Sequence, residues 1–265
     1  GVIEGNSAGY LRIKIFGDDT KREVEAALKF FNGKNIGNLV IDLRGNPGGK
    51  LDEAIGISDF FLEKGKVIVT TKGRPGSGQG QESKSMNDPL YRGRIIVLVN
   101  KGSASASEIL AGALKDTGRA KLFGVTTYGK GSVQQVRRLG DGGFKLTMAR
   151  YFTPGNYTID KNGVTPDVTV EEPAPTVEQE SSLERLLQED TIRKWVAANP
   201  QPSDAKVGQL VVELHRQGIA LDERTLRRLV REEVNRTNNN PPVFDLEYDI
   251  VLQAAVKAIQ AGQVV

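Results

Sequence analysis

A chain of 265 residues, 38% of them hydrophobic, can bury one substantial core and a smaller appended unit. It has no cysteine, which excludes a disulfide framework, a thiolate metal site and a cysteine nucleophile. Its 36 basic and 33 acidic residues leave a net charge of +3 and interleave without a basic block, which argues against nucleic-acid binding, and no apolar run reaches the roughly 18 residues of a membrane span.

The opening Gly1-Val-Ile-Glu4 carries no signal peptide and reads as the middle of something longer. Short or alternating apolar runs predict strands over 10–16, 39–43, 67–71, 95–99 and 121–123, and helical spacing predicts helices over 21–31, 51–62 and 105–114. Strand and helix alternate closely, so an α/β core with largely parallel strands is expected. Residues 74–81 are a glycine-rich loop. Residues 133–139 and 144–151 flank Gly140-Asp-Gly-Gly143 as an antiparallel hairpin. A proline-bearing linker over 171–176 precedes a helical region. Leu183, Leu186, Leu187 and Trp195 form one stripe there. Val207, Leu210, Val211 and Leu214 form a second, and Leu226, Leu229 and Val230 a third. Asn238-Asn-Asn-Pro-Pro242 breaks the chain before a last helix over 245–259. The expected division is a core over 1–172 and a helical region over 177–265 that caps the core or pairs with a second copy.

The chemistry concentrates in residues 94–135. The only histidine, His215, lies in a charged helical segment and reads as solvated, so a serine activated by a lysine is the remaining standard nucleophile. Ser103, Ser105 and Ser107 all sit at the start of a helix, where free N–H groups favour a developing oxyanion. Ser105-Ala-Ser-Glu108 also fits a capping box, a purely structural role, and the residues alone do not rank the three serines. A lysine base must lose its proton, which calls for burial against apolar neighbours such as Tyr128, Phe123 and Val133 of Lys130. Residues 124–130 match the start of a phosphate-binding loop. However, Gly131 replaces the required Ser or Thr, and a strand follows instead of a helix. Arg44-Gly-Asn-Pro-Gly-Gly49 is either a tight strand-to-helix turn or an oxyanion hole. Asp42 and Asp116, at element ends, read as structural. Two glycosylation-like triplets, at Asn156 and Asn235, read as chance matches.

Taken together, Leu39-Val-Ile-Asp-Leu-Arg-Gly-Asn-Pro-Gly-Gly49, Gly102-Ser-Ala-Ser-Ala-Ser-Glu-Ile-Leu-Ala-Gly-Ala-Leu-Lys-Asp116, Thr127-Tyr-Gly-Lys-Gly131 and Gly163-Val-Thr-Pro-Asp167 resemble the carboxyl-terminal processing proteases of serine peptidase family S41. The resemblance runs from about residue 9 to 170. It implies a crotonase/Clp-protease-like core, Ser105 as nucleophile, Lys130 as general base and Gln134 as the residue orienting that lysine. It also implies an oxyanion hole from the N–H of Ala106 and of a glycine in 45–49, Gly48 being the first choice. Glu108, Asp116 and Thr127 match supporting positions. It implies a protein or peptide substrate, no cofactor or metal, and a periplasmic or cell-envelope location. The family's PDZ domain is expected to be missing from this chain, and the region over about 177–240 lies outside the common core. Two rivals remain: a non-catalytic module with the same fold, and an acyl-CoA enzyme of the crotonase type, for which the sequence offers neither an acid/base carboxylate nor a nucleotide site.

Overall fold

The computed structural model describes residues 1–3, 8–73, 80–139, 142–171, 173–238 and 242–264. It divides into two compact units, residues 1–171 with 251–265, and residues 172–250.

The larger unit is built on a six-stranded sheet in the order β1-β2-β3-β6-β7-β10. Its strands are β1 (Val2–Ile3), β2 (Ala8–Arg12), β3 (Asn38–Asp42), β6 (Arg94–Val99), β7 (Lys121–Gly124) and β10 (Val168–Thr169). All neighbours are parallel except β1 against β2. Leu39–Ile41 and Ile95–Val99 are wholly buried, as strands covered on both faces should be. Helix α1 (Thr20–Gly33) inserts Val24, Leu28 and Phe31 at helical spacing, and α2 (Leu51–Ser58) inserts Ala54 and Ile57. Helix α3 (Ala106–Asp116) is buried on every side from Ala106 to Leu114, which its small and aliphatic residues permit.

A second, antiparallel sheet has the order β5-β4-β9-β8, from β4 (Val67–Gly73), β5 (Gly80–Lys84), β8 (Ser132–Leu139) and β9 (Gly142–Phe152). The β8–β9 hairpin is the predicted one; residues 140 and 141 of its turn lie outside the described residues, as do 74–79 of the predicted glycine-rich loop. Gly80-Gln-Glu-Ser-Lys84 is a polar edge strand with no apolar alternation to betray it.

Three boundaries differ from expectation. The strand predicted over 10–16 ends at Arg12, because Asn46 Nδ2 takes the Ile13 carbonyl and the chain turns toward a bridge between Phe16 and Gly49. The helix predicted over 51–62 ends at Ser58, where Phe60 and Phe61 tighten to bonds three residues back. The last helix, α8 (Ile250–Gln260), starts five residues late, because Asp245 Oδ1 instead caps a turn at Glu247 and Tyr248.

The smaller unit holds α4 (Val177–Gln188), α5 (Thr191–Ala198), α6 (Asp204–Arg216) and α7 (Glu223–Thr237) around Leu186, Ile192, Val196, Leu210, Leu214, Leu226 and Val230. The stripe from Leu183 to Trp195 belongs to two helices, separated at Asp190 with φ +53°, and Leu187 is exposed.

Candidate active site

Strands β3, β6 and β7 are neighbours and parallel, so the loops leaving their carboxyl ends meet on one side of the sheet. These loops carry Gly48, Ser105 and Lys130.

Asn46 joins the first two. It is fully buried and donates from Nδ2 to the Ile13 carbonyl at 2.8 Å. Its own carbonyl accepts the Ala104 N–H at 2.9 Å and the Ser107 hydroxyl at 3.0 Å. Ser103 donates its hydroxyl to the Leu43 carbonyl at 2.8 Å. The three serines therefore separate. Ser103 and Ser107 are sealed inside with hydroxyls committed to backbone carbonyls, while Ser105 is partly exposed.

Ser105 also has φ +56° and ψ −112°, a conformation that costs a residue with a Cβ about 1–3 kcal/mol. Gly48 makes room for it: with φ +100°, a Cβ there would stand 2.7 Å from Ala104 O and 2.8 Å from Ser105 Cβ. The predicted capping box is present at the start of α3. The Glu108 carboxylate accepts the Ser105 N–H at 2.7 Å, and the Glu108 N–H also donates to the Ser105 carbonyl at 2.9 Å.

Glu108 is the fullest node of the site. Buried entirely on α3, it accepts Ser105 N–H and Lys130 N–H (2.9 Å) on Oε2, and Thr127 Oγ1–H and Gly129 N–H (both 2.6 Å) on Oε1. One carboxylate thus holds the backbones of the serine turn and the lysine loop together. Thr127 Oγ1 in turn accepts the Val164 N–H at 2.7 Å.

The remaining predicted residues fall at different places. Lys130 and Gln134 have exposed side chains, and among the described residues Lys130 Nζ has no hydrogen bond or ion pair. The burial expected of a base is not present in this conformation, and Tyr128 beside it is 69% exposed. Gln134 lies on β8 at a register shift opposite Thr147. The Gly48 N–H, first choice for the oxyanion hole, is engaged by Asn46 Oδ1 at 2.8 Å. Among the described residues the N–H groups of Ala106 and Gly49 have no acceptor. Asp116 ends α3, ten residues or about 15 Å along the helix from Ala106, and holds the Gly155 N–H at 2.9 Å. His215 Nε2 meets the Leu221 carbonyl at 2.8 Å within the smaller unit. Among the described residues no three His, Asp or Glu side chains gather to hold a metal.

Asn46 was not among the predicted site residues. Its signal was present, since Asn side chains bond the backbone two residues on in such turns, as Asn46 does to Gly48. Asp42 ends β3, four residues before Asn46. Burial pushes its carboxyl up, but the hydrogen bonds and charge of Arg44, with the Tyr10 hydroxyl at 2.6 Å, hold it below the ordinary carboxylate value.

The sequence pattern of peptidase family S41 matches residues 7–170. A carboxy-terminal-processing protease of Bartonella bacilliformis is 42% identical over 211 residues, 78% of this chain and 48% of that protein. The chloroplastic carboxyl-terminal-processing peptidase 2 of Arabidopsis thaliana is 44% identical over 160 residues, 60% of this chain and 31% of that protein. Among solved structures, a photosystem II D1 C-terminal processing protease matches with a TM-score of 0.57 and 34% identity, covering 64% of this chain and 45% of that one. The chain spans about half or less of the length of these relatives.

Proposed function

The chain belongs to peptidase family S41, and on that premise we propose that it is a serine endopeptidase with a Ser105–Lys130 dyad, cleaving proteins at or near exposed C-terminal segments. The observation that carries the proposal is the single Glu108 oxygen that holds both the Ser105 and the Lys130 amide. Lysine carries its amine on a flexible four-carbon stem, so from that anchor Nζ can turn toward the Ser105 hydroxyl. A bound substrate would exclude water there and favour the uncharged amine. Gln134 orients the lysine in that state.

In the reaction, Ser105 Oγ attacks the scissile carbonyl and its proton passes to Lys130 Nζ. The oxyanion is received by the N–H groups of Ala106 and Gly49, which have no acceptor among the described residues. Collapse expels the amine, which takes the proton from Lys130. Water then enters, loses a proton to Lys130 Nζ and adds to the acyl carbon; collapse releases the acyl group as a carboxylic acid, and Ser105 Oγ takes the proton back from Lys130. No step calls for a metal.

The exposed Lys130 side chain favours one second reading, a non-catalytic module of the same fold that binds polypeptide. Labelling by a fluorophosphonate, together with cleavage of an unfolded protein, separates the two. We expect labelling and cleavage in the wild-type chain and neither in Ser105→Ala. A chain that binds unfolded protein but neither labels nor cuts would establish the module. We further place the protein in the periplasm or cell envelope, as its family suggests, to be checked by cell fractionation, and assign residues 177–240 to pairing with a second copy.

A further inference from the structure

Tyr128 has a ring 69% exposed although the chain on both sides of it is fixed. Its N–H donates to the Ser103 carbonyl at 3.0 Å, two residues before Ser105. Thr127 and Gly129, its neighbours, both donate to Glu108 Oε1 at 2.6 Å, and the Gly129 carbonyl accepts the Lys161 N–H at 2.8 Å. Among the described residues the Tyr128 side chain makes no hydrogen bond, ring contact or cation contact.

A single exposed aromatic residue is ordinary in itself. Here the backbone that carries it is held by folding, so a partner has only the two side-chain torsions of the ring to order. The ring belongs to the loop that supplies Lys130 and is bonded to the turn that supplies Ser105. A polypeptide with a carbonyl against Ser105 must pass this rim.

The geometry points to Tyr128 as a specificity-determining contact that receives an apolar side chain, aliphatic or aromatic, next to the scissile bond. The inference rests on the peptidase reading above and names the substrate feature read at that site. The ring face is electron-rich and disfavours a carboxylate. A cationic side chain is attracted to such a face but is repelled by the exposed Lys161, whose N–H meets the Gly129 carbonyl. Apolar side chains are the class left.

The test uses the whole chain and unfolded peptides with one variable residue, Leu, Phe, Ser, Asp or Lys, in a Gly-Ser background. Binding is read by fluorescence anisotropy on the Ser105→Ala chain and cleavage by mass spectrometry on the chain with Ser105 intact. Leu and Phe peptides should bind about tenfold more tightly than Ser or Asp peptides, the size expected of one aromatic anchor. Tyr128→Ala should erase that preference, chiefly through KM, and Tyr128→Phe should restore it. Phe30→Ala, which removes an exposed ring on α1, should leave it intact. An undiminished preference in Tyr128→Ala overturns the inference, as does a failure of all peptides to bind. Absence of cleavage by the wild-type chain would refute the peptidase reading instead, while the binding series still decides the role of Tyr128.

Discussion

Glu108 is dry and saturated, with four donors on two oxygens. Glu108→Gln turns one acceptor oxygen into an NH2 group that faces N–H donors. We expect a loss of about 2–4 kcal/mol in urea unfolding, and a fall in fluorophosphonate labelling measured where the variant is still fully folded. Glu108→Asp should lose labelling as well, because the shorter side chain cannot hold both loops. Ser105→Ala and Lys130→Ala should each abolish cleavage, and His215→Ala should leave it intact, since that ring is tied to Leu221 in the smaller unit. Full activity in Lys130→Ala would refute the dyad.

At the scale of elements, the turn 43–49 and the start of α3 act as one piece. Gly48→Ala would drive a Cβ into Ala104 O and Ser105 Cβ at a φ that L residues avoid, and should cost about 2–4 kcal/mol with loss of labelling. Ser103→Ala and Ser107→Ala should cost about 1–2 kcal/mol each and retain labelling, because their hydroxyls hold loops together and face no substrate. This contrast marks what the sequence could not reveal. Periodicity located the buried strands and α3, because hydrophobic spacing is written locally. It could not rank three serines within five residues, because their difference lies in which hydroxyl meets a carbonyl contributed by the turn after β3, about 60 positions earlier. Nor could it find β5, whose polar residues are ordered by pairing with β4. The lysine loop was recognisable by motif, but the conformation of its side chain is a tertiary property.

For the whole molecule, stability should fall at both ends of the pH scale. Burial pushes the Tyr91 hydroxyl, which donates to the Ile36 carbonyl at 2.8 Å, up to about 12. Its contribution is complete below the ordinary tyrosine value of about 10 and is lost as pH rises through 12. Asp42 is held low, so its contribution is present above the ordinary carboxylate range and disappears as pH falls below it. Urea midpoints measured across pH should show both limbs, and Tyr91→Phe should make the alkaline one shallower. In sedimentation we expect the full chain to run as a dimer and a chain lacking 177–240 as a monomer; unchanged mass on deletion would count against pairing through the helical region. The order of assembly follows from the path of the chain. Residues 251–265 belong to the larger unit, with Leu252 and Ala255 fully buried and Gln263 O accepting Lys121 Nζ, yet they follow the whole smaller unit in sequence. On a ribosome, the site-bearing unit therefore begins before the smaller unit and is completed after it. Its final helix is synthesised only after 172–250 have been made, so a chain truncated before residue 251 should carry every proposed catalytic residue and still lack a completed core.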